Sequence, residues 1–195
     1  MAGIVRYGSY IPYFRLQRAA MGAGKGERTV ASYDEDSVSM AVEAARDAVR
    51  GGVAVDAVVF ATTSPAYAEK LDTATVQAAL DLPETVSSIA LGGSTRMGLS
   101  ALLLGLDLAT AGRRTLVCAG DVIIGAPGGS RESQGGDGAV AFLTGNDGEA
   151  IARSIGSASA TIEILEVWRL PEDRFSKQWE ERFTADTMAP TIIDT

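Results

Sequence analysis

Residues 95–111 predict a helix that is apolar on every side, and this feature constrains the fold more than any other. Its leucines fall around nearly the whole helical circumference, and such a helix is stable only when it is buried on all sides. A single sheet covers one face of a helix, so we expect this helix to lie centrally between two sheets. The chain offers strands for only one full sheet, so we expect a second half from another polypeptide or subunit. The leucines are Leu99, Leu102, Leu103, Leu104, Leu106 and Leu108.

Patterns of buried strands and amphipathic helices alternate through the first 160 residues. Together they predict an α/β fold, a mostly parallel sheet joined by crossover helices. Residues 13–32 predict a short helix and a mobile basic loop, whereas residues 161–195 predict an irregular, amphipathic extension. We therefore divide the chain into a half-domain at 1–160 and an extension at 161–195. Strand patterns cover 3–11, 57–62, 86–91, 114–124, 137–145 and 149–160, and further helix patterns cover 36–50 and 73–80.

The composition excludes several classes of site. The 195 residues contain no His, so the chain alone cannot form a Ser-His or Cys-His couple or a His metal site, and we expect no bound metal. One Cys rules out an intrachain disulfide and fits a reducing compartment such as the cytoplasm. A net charge of −8 argues against nucleic-acid binding. The longest apolar stretch is too short for a membrane span.

The turn before the central helix is the sharpest local candidate for a site. Gly92 and Gly93 end a strand, and Ser94 and Thr95 lead into the helix. Side chains at such a corner lie beside free backbone N–H groups at the positive end of the helix dipole, where enzymes place nucleophiles. The alternative is an ordinary Ser/Thr helix cap, which residue type alone favours. No base for either hydroxyl is evident nearby in the sequence.

A second candidate is the glycine-rich entry into the strand at 137–145. Its residues could hold an acyl oxyanion or let a ligand approach the backbone, and a tight turn between paired strands is an equally good interpretation. Cys118 lies in the middle of a buried strand pattern and is expected to be an inert core thiol. Basic residues that could clamp the phosphates of coenzyme A include Arg169 and Arg182, although scattered surface charge explains each singly. The glycine-rich entry comprises Gly135, Gly136, Asp137 and Gly138.

Several segments, taken in order, resemble the thiolase superfamily and HMG-CoA synthase in particular. They are the opening GIVRYGSYIP, the helix DEDSVSMAVEAARDA, ATTSPAYAEK at 61–70, TLVCAGDVIIGAPG with GGDGAVAFLTG, and the final region around Trp168-Arg169 and Glu181–Thr184. The resemblance covers most of the chain and implies a thiolase-like N-terminal half. It implies a three-layer architecture that a second half completes to five layers. It also implies a coenzyme A thioester as ligand, with no tightly bound cofactor.

The resemblance places family catalytic positions on residues that cannot do the same chemistry. The nucleophilic Cys of the family falls at Thr95, with Ser94 as the alternative register, and its acid/base Glu falls at Thr63. The family His and Asn belong to a C-terminal half, which we expect on a second chain. A thiolate accepts an acyl group far better near neutral pH than an unassisted hydroxyl. Ordinary HMG-CoA synthase chemistry by this chain alone is therefore not expected.

Three hypotheses follow for function. In the first, the chain is an acyl-CoA-handling subunit of a hetero-oligomeric acyltransferase complex, with acyl transfer or Claisen-type condensation mainly on a partner. The partners that the resemblance implies are a chain with the C-terminal thiolase half, a thiolase and a zinc-ribbon/OB-fold acyl-CoA-binding protein. In the second, Thr95 or Ser94 is acylated with help from a partner's base. In the third, the chain is a non-catalytic structural or binding protein that uses the fold for assembly.

Overall fold

One six-stranded sheet organises the protein in the computed structural model, which describes residues 1–147 and 150–193. Its strand order is β5-β4-β6-β7-β1-β8, and two small two-stranded sheets pair β2 with β3 and β9 with β10. The strands are β1 Gly3–Tyr10, β2 Phe14–Gln17, β3 Glu27–Val30, β4 Ala57–Thr62, β5 Ser87–Gly92, β6 Thr115–Asp121, β7 Gly138–Gly145, β8 Ala152–Arg153, β9 Val167–Trp168 and β10 Lys177–Gln178. The helices are α1 Ser37–Ala48, α2 Asp72–Ala79, α3 Met97–Thr110, α4 Ser130–Gln134 and α5 Glu181–Ile193.

The sheet is mixed, and most of its strands run in one direction. Strand β4 pairs in parallel with β5 and β6, as the buried strand patterns predict. Strand β7 lies antiparallel to both β6 and β1, so β1 runs in the same direction as β4, β5 and β6. The carboxyl ends of β4, β5 and β6 therefore meet at one edge, where α/β proteins place their ligands.

Side chains of β4 alternate between two cores on opposite faces of the sheet. Val58 and Phe60 join a core formed with α1 and α2, whereas Val59 and Ala61 join a core formed with α3. All six residues of β4 are buried, because helices cover both faces of this strand. Helix α1 begins at its Asp36 cap, which accepts a hydrogen bond from the Ser39 N–H at 2.7 Å as part of a capping box.

Helix α3 packs on the sheet through a stripe of small residues and leaves its opposite face open. Ala101, Gly105 and Ala109 are buried at four-residue spacing, and the Thr144 hydroxyl of β7 donates to the Gly105 carbonyl at 2.8 Å. On the other side Leu99 is 52% exposed and Leu103 is 36% exposed. The helix is therefore covered on one side only by the residues that the structure describes.

Three secondary-structure predictions need correction. Residues 13–32 form the β2–β3 hairpin with a 3-10 turn at Arg18–Met21, because Phe14–Gln17 pairs in register with Glu27–Val30. The strand predicted at 149–160 is limited to β8, and Glu149 lies outside the described residues. The extension predicted as irregular contains the β9–β10 pair and helix α5. Within the described ranges, no helix has the length and apolar character to cross a membrane.

Candidate functional site

A cavity of about 280 Å³ opens at the carboxyl edge of β4, β5 and β6, beside the start of α3. Two loops from this edge and the residues that follow β6 form part of its walls, and the segment around β9 contributes the rest. Its lining combines hydroxyl groups, two arginines, one glutamate and apolar side chains: Thr63, Ser64, Gly93, Ser94, Thr95, Val122, Ile124, Arg131, Ile164, Glu166, Val167, Trp168, Arg169 and Ser176. The fold thus brings together residues that are more than 100 positions apart in sequence.

Four of the predicted site residues line this cavity together. Thr63 follows β4, Ser94 and Thr95 lie in the turn before α3, and Arg169 follows β9. Gly93 makes the turn possible with φ = +88°, a conformation that favours glycine. The geometry therefore groups the positions that the family resemblance assigned to a nucleophile and an acid/base, although the residue types differ from those of the family.

The turn before α3 lacks the side-chain hydrogen bond of an ordinary helix cap. Ser94 Oγ accepts a hydrogen bond from the Arg96 N–H at 3.2 Å, and the cap residue of the helix, Arg96, uses no side-chain cap bond. Thr95 is exposed to the cavity, and no hydrogen bond to its hydroxyl is recorded among the described residues.

A carboxylate that the sequence reasoning missed holds the loop that carries Thr63 and Ser64 into the cavity lining. Oδ1 of Asp121, the last residue of β6, accepts hydrogen bonds from the Thr62 hydroxyl at 3.0 Å and the Thr63 hydroxyl at 2.9 Å. The backbone N–H groups of Thr63 and Ser64 donate to the same oxygen at 2.6 and 3.1 Å. Because β4 and β6 are adjacent parallel strands, their ends meet, and this would have been the signal for Asp121 in the sequence.

Asp137, the charged residue of the glycine-rich entry into β7, has a structural role. Asp137 is buried, and its Oδ1 accepts from the Arg28 guanidinium at 3.0 Å and from the Ile123 N–H at 2.8 Å. Its Oδ2 accepts from the Ala31 N–H at 2.8 Å. Both carboxylate oxygens are therefore occupied within the protein. None of Gly135, Gly136, Asp137 and Gly138 lines the cavity described above, and their role in ligand binding stays a prediction.

The two arginines predicted to contact coenzyme A lie apart from each other. Arg169 lines the cavity with Trp168 and Glu166, whereas Arg182 is an exposed residue of α5 and is not part of the lining. Residues from 161–195 thus complete a site whose other walls belong to 1–160. The proposed boundary near residue 160 stays a prediction.

Cys118 is confirmed as a buried core thiol. It lies in the middle of β6 with 0% exposure and belongs to the core below α1. Burial raises the pKa of the Cys118 thiol to about 12, because the thiolate would lose its hydration. The side chain of Cys118 therefore lies in the core below α1 and is not part of the cavity lining.

Comparison with known proteins gives relatives over most of the chain, although no protein-family model matches it. The hydroxymethylglutaryl-CoA synthase of Pyrococcus horikoshii is 26% identical over 98% of this chain and 61% of its own length. The synthase of Methanocaldococcus jannaschii is 30% identical over 87% of this chain and 54% of its own length. That of Caldivirga maquilingensis is 34% identical over 74% of this chain and 47% of its own length. The chain spans about half to three-fifths of these curated relatives.

Solved structures support the same relationship at the level of the fold. A crystal structure of HMG-CoA synthase complexed with CoA matches all of this chain and 54% of its own, with a TM-score of 0.88 and 19% identity. The 3-oxoacyl-(acyl carrier protein) synthase III of Pseudomonas aeruginosa matches 96% of this chain and 66% of its own, with a TM-score of 0.76 and 20% identity. The predicted thiolase-like architecture is confirmed by these matches. The chain is therefore HMG-CoA synthase-like, with a thiolase-like α/β fold at about half the length of its curated relatives.

Proposed function

We propose that the chain is an acyl-CoA-handling subunit of a thiolase-like acyltransferase complex, with the main chemistry on a partner chain. The observation that carries the proposal is the cavity, which collects Thr63, Ser94, Thr95 and Arg169 at the carboxyl edge of the sheet. This edge is where α/β folds bind ligands. The thioester end of a coenzyme A ligand enters the cavity, and Arg169 and Arg182 serve its phosphates nearer the surface.

The residues at the nucleophile position favour binding over covalent catalysis. Thr95 replaces a thiol with a hydroxyl, whose pKa lies far above neutral pH, and such a nucleophile needs an adjacent base. The Asp121 carboxylate is engaged by the loop at Thr62–Ser64 through its Oδ1, and no hydrogen bond from Thr95 to Glu166 of the cavity lining is recorded among the described residues. The chain contains no His to act as a base. The cavity is therefore suited to hold an acyl group rather than to accept it.

The open face of α3 supports the need for a second half. Leu99 and Leu103 are exposed along a helix whose other side packs on the sheet. The occupant that fits is a second thiolase-like half, because a further sheet covers the whole length of a helix and the relatives are about twice as long. That half brings the family His and Asn, which would act on a thioester held at the cavity.

The remaining partners follow from the HMG-CoA synthase-like character of the chain. We place the complex in the cytoplasm, together with a thiolase and a zinc-ribbon/OB-fold acyl-CoA-binding protein. In such an assembly the acyl thioester passes between subunits, and this chain shapes one of the acyl pockets. The second candidate, a chain that uses the fold only for assembly, differs from this proposal because it has no affinity for a thioester.

Calorimetric titration with acetyl-CoA, combined with intact-mass spectrometry, tests the proposal. The wild-type chain binds the thioester without gaining an acetyl adduct, and Thr95→Trp abolishes binding because the ring fills the cavity. Thr110→Trp, at the far end of α3, is the matched control and keeps wild-type affinity. An adduct that disappears in Thr95→Ala would instead make Thr95 a nucleophile. No binding by the wild-type chain or by the complex that it forms would leave the purely structural role.

A further inference from the structure

Strand β2 has a free outer edge and carries a cluster of exposed apolar side chains. It pairs with β3, and no other strand pairs with it among the residues that the structure describes. Tyr13 is 87% exposed and Phe14 is 54% exposed, and their rings meet edge to face with centroids 5.7 Å apart. Together with the exposed Ile11 and Leu16 they form what we call the β2 patch. Free strand edges and exposed aromatic clusters are typical of surfaces that bind another protein.

Strand β3 fixes the β2 patch to the body of the protein. The Arg28 guanidinium of β3 is paired with the buried Asp137 carboxylate at 3.0 Å, and the Thr29 hydroxyl donates to the Asp137 carbonyl at 2.7 Å. The β2 patch is therefore presented by a hairpin whose inner strand is held in place. A surface that is ordered in this way loses little conformational entropy when a partner binds to it.

The charges around the β2 patch are positive, although the chain as a whole carries a net charge of −8. Residues 11–26 contain Arg15, Arg18 and Lys25 and no acidic residue. Glu27, which follows this stretch, pairs with Arg15 at 3.6 Å. An acidic partner is therefore favoured. A second copy of this chain is not, because a two-fold contact through the same patch would bring like charges together.

Arg15 occupies carbonyl groups at the start of the β2 edge. Its Nη1 donates to the carbonyls of Pro12, of Tyr13 at 3.0 Å and of Phe14 at 2.9 Å. A carboxylate is a stronger acceptor for a guanidinium than these neutral carbonyls. An acidic side chain that pairs with Arg15 would therefore free carbonyl oxygens for the backbone N–H groups of an added strand.

We propose that the β2 edge binds an extended, acidic segment of a partner protein, which adds to the hairpin as a third strand. Apolar side chains at alternate positions of that segment pack on Phe14 and Leu16, which lie on one face of β2, and its carboxylates pair with Arg15. A strand satisfies both the free backbone edge and the apolar side chains, whereas a membrane surface satisfies the side chains alone. The inference does not depend on thioester binding, because no residue of the β2 patch is part of the described cavity lining.

A fluorescent nine-residue peptide of alternating glutamate and valine is the probe. Fluorescence anisotropy measures its affinity for the full chain, together with any chain that copurifies with it. We expect this peptide to bind about tenfold more tightly than the matched peptide of alternating lysine and valine. Arg15→Gln should remove most of that preference, and Phe14→Ser should weaken binding of the acidic peptide about tenfold. Tyr67→Ser, at an exposed tyrosine outside the hairpin, is the control and should bind as the wild type does.

Hydrogen exchange tests whether the peptide adds as a strand. Amide exchange within residues 14–17 should slow when the acidic peptide is bound, and unchanged exchange there would overturn strand addition. Absence of peptide binding, or equal affinities for the two peptides, would overturn the inference as well. Each of these results leaves thioester binding, and with it the proposed function, unaffected. Circular dichroism checks that Arg15→Gln and Phe14→Ser are folded.

Two competition experiments separate this inference from other uses of a basic, aromatic hairpin. Saturating coenzyme A should leave the affinity for the acidic peptide unchanged. If coenzyme A displaces the peptide and Phe14→Ser binds it as the wild type does, the basic residues bind phosphates and the inference is wrong. The protein should also fail to sediment with vesicles of phosphatidylcholine and phosphatidylglycerol. Sedimentation that Phe14→Ser abolishes would make the β2 patch a membrane contact and would overturn the inference.

Discussion

Asp121 and Thr63 are joined by two hydrogen bonds, from the Thr63 N–H at 2.6 Å and from the Thr63 hydroxyl at 2.9 Å, and both end on Oδ1 of Asp121. Thr63 stands where the family resemblance assigns a glutamate, and it is hydrogen-bonded to the carboxylate of Asp121 on the neighbouring strand β6. The recorded hydrogen bonds of the Asp121 carboxylate hold a loop in place, and Thr63 and Ser64 of that loop line the cavity. The loop from Thr62 to Ser64 depends on that carboxylate for its conformation.

Replacing Asp121 with alanine should destabilise the protein by about 1–3 kcal/mol, because the N–H groups of Thr63 and Ser64 lose their acceptor. Urea unfolding at neutral pH measures this change. Asp121→Asn keeps an oxygen acceptor and should cost less. Asp107→Ala, on the exposed side of α3, serves as the control and should change stability by less than about 0.5 kcal/mol. Equal stabilities of Asp121→Ala and the wild type would show that the loop does not rely on this residue.

The buried ion pair between Arg28 and Asp137 makes a second prediction. The two side chains are 6% and 2% exposed, so removing one partner leaves the other charge uncompensated. Asp137→Ala should cost about 3–5 kcal/mol in unfolding free energy. The exposed pair of Arg46 and Glu43 provides the comparison, and Arg46→Ala should cost less than about 1 kcal/mol. Similar losses in the two variants would contradict the structural role assigned to Asp137.

Two glycines of α3 should respond in opposite ways to alanine. A Cβ at Gly105 would clash with the Val117 side chain and come within 3.2 Å of the Thr144 hydroxyl, so Gly105→Ala should destabilise by about 1–3 kcal/mol. A Cβ at Gly98 would meet its nearest neighbour, Ala119, at 3.9 Å. Gly98→Ala should therefore be neutral or stabilise by up to about 1 kcal/mol. Thermal unfolding of both variants checks the packing, and a neutral Gly105→Ala would place α3 further from the sheet.

The buried thiol of Cys118 predicts a pH dependence. Its pKa rises from the usual 9.0 to about 12 on burial, so the folded protein holds the thiol proton more tightly than the unfolded chain. This contribution to stability is complete below pH 9 and is lost as the pH rises toward 12. Cys118→Ala should flatten the fall in stability across that range. At pH 8 a thiol reagent should react only after unfolding, and rapid labelling of the folded protein would contradict the burial.

The sequence predicted the central sheet because its strands carry strong local patterns. The strand patterns at 57–62 and 3–11 became β4 and β1, and the helix pattern at 36–50 became α1. The β2–β3 hairpin escaped prediction because its four-residue strands are short, largely exposed and joined by a glycine-containing turn. Their pairing is favoured by tertiary contacts, such as the one from Thr29 to Asp137, which no local pattern contains.

The candidate site was only partly accessible to sequence reasoning. Thr63 and Thr95 could be placed by resemblance, since each lies next to a strand end or a helix start. Arg131 could not, because its place in the cavity lining depends on how the loop after β6 packs. Asp137 lies in the glycine-rich segment that the sequence marked as a candidate site. Its carboxylate instead accepts hydrogen bonds from Arg28 and two backbone N–H groups.

Native mass spectrometry of the protein purified from its own source tests the central claim, that this chain works with a second half. The account predicts a complex with a second, histidine-containing chain of thiolase-like sequence. It also predicts that Leu99→Asp leaves this chain folded, because Leu99 is 52% exposed, but releases the partner. A monomer, or an oligomer of this chain alone, would contain no histidine anywhere and would contradict the proposed acyltransferase role.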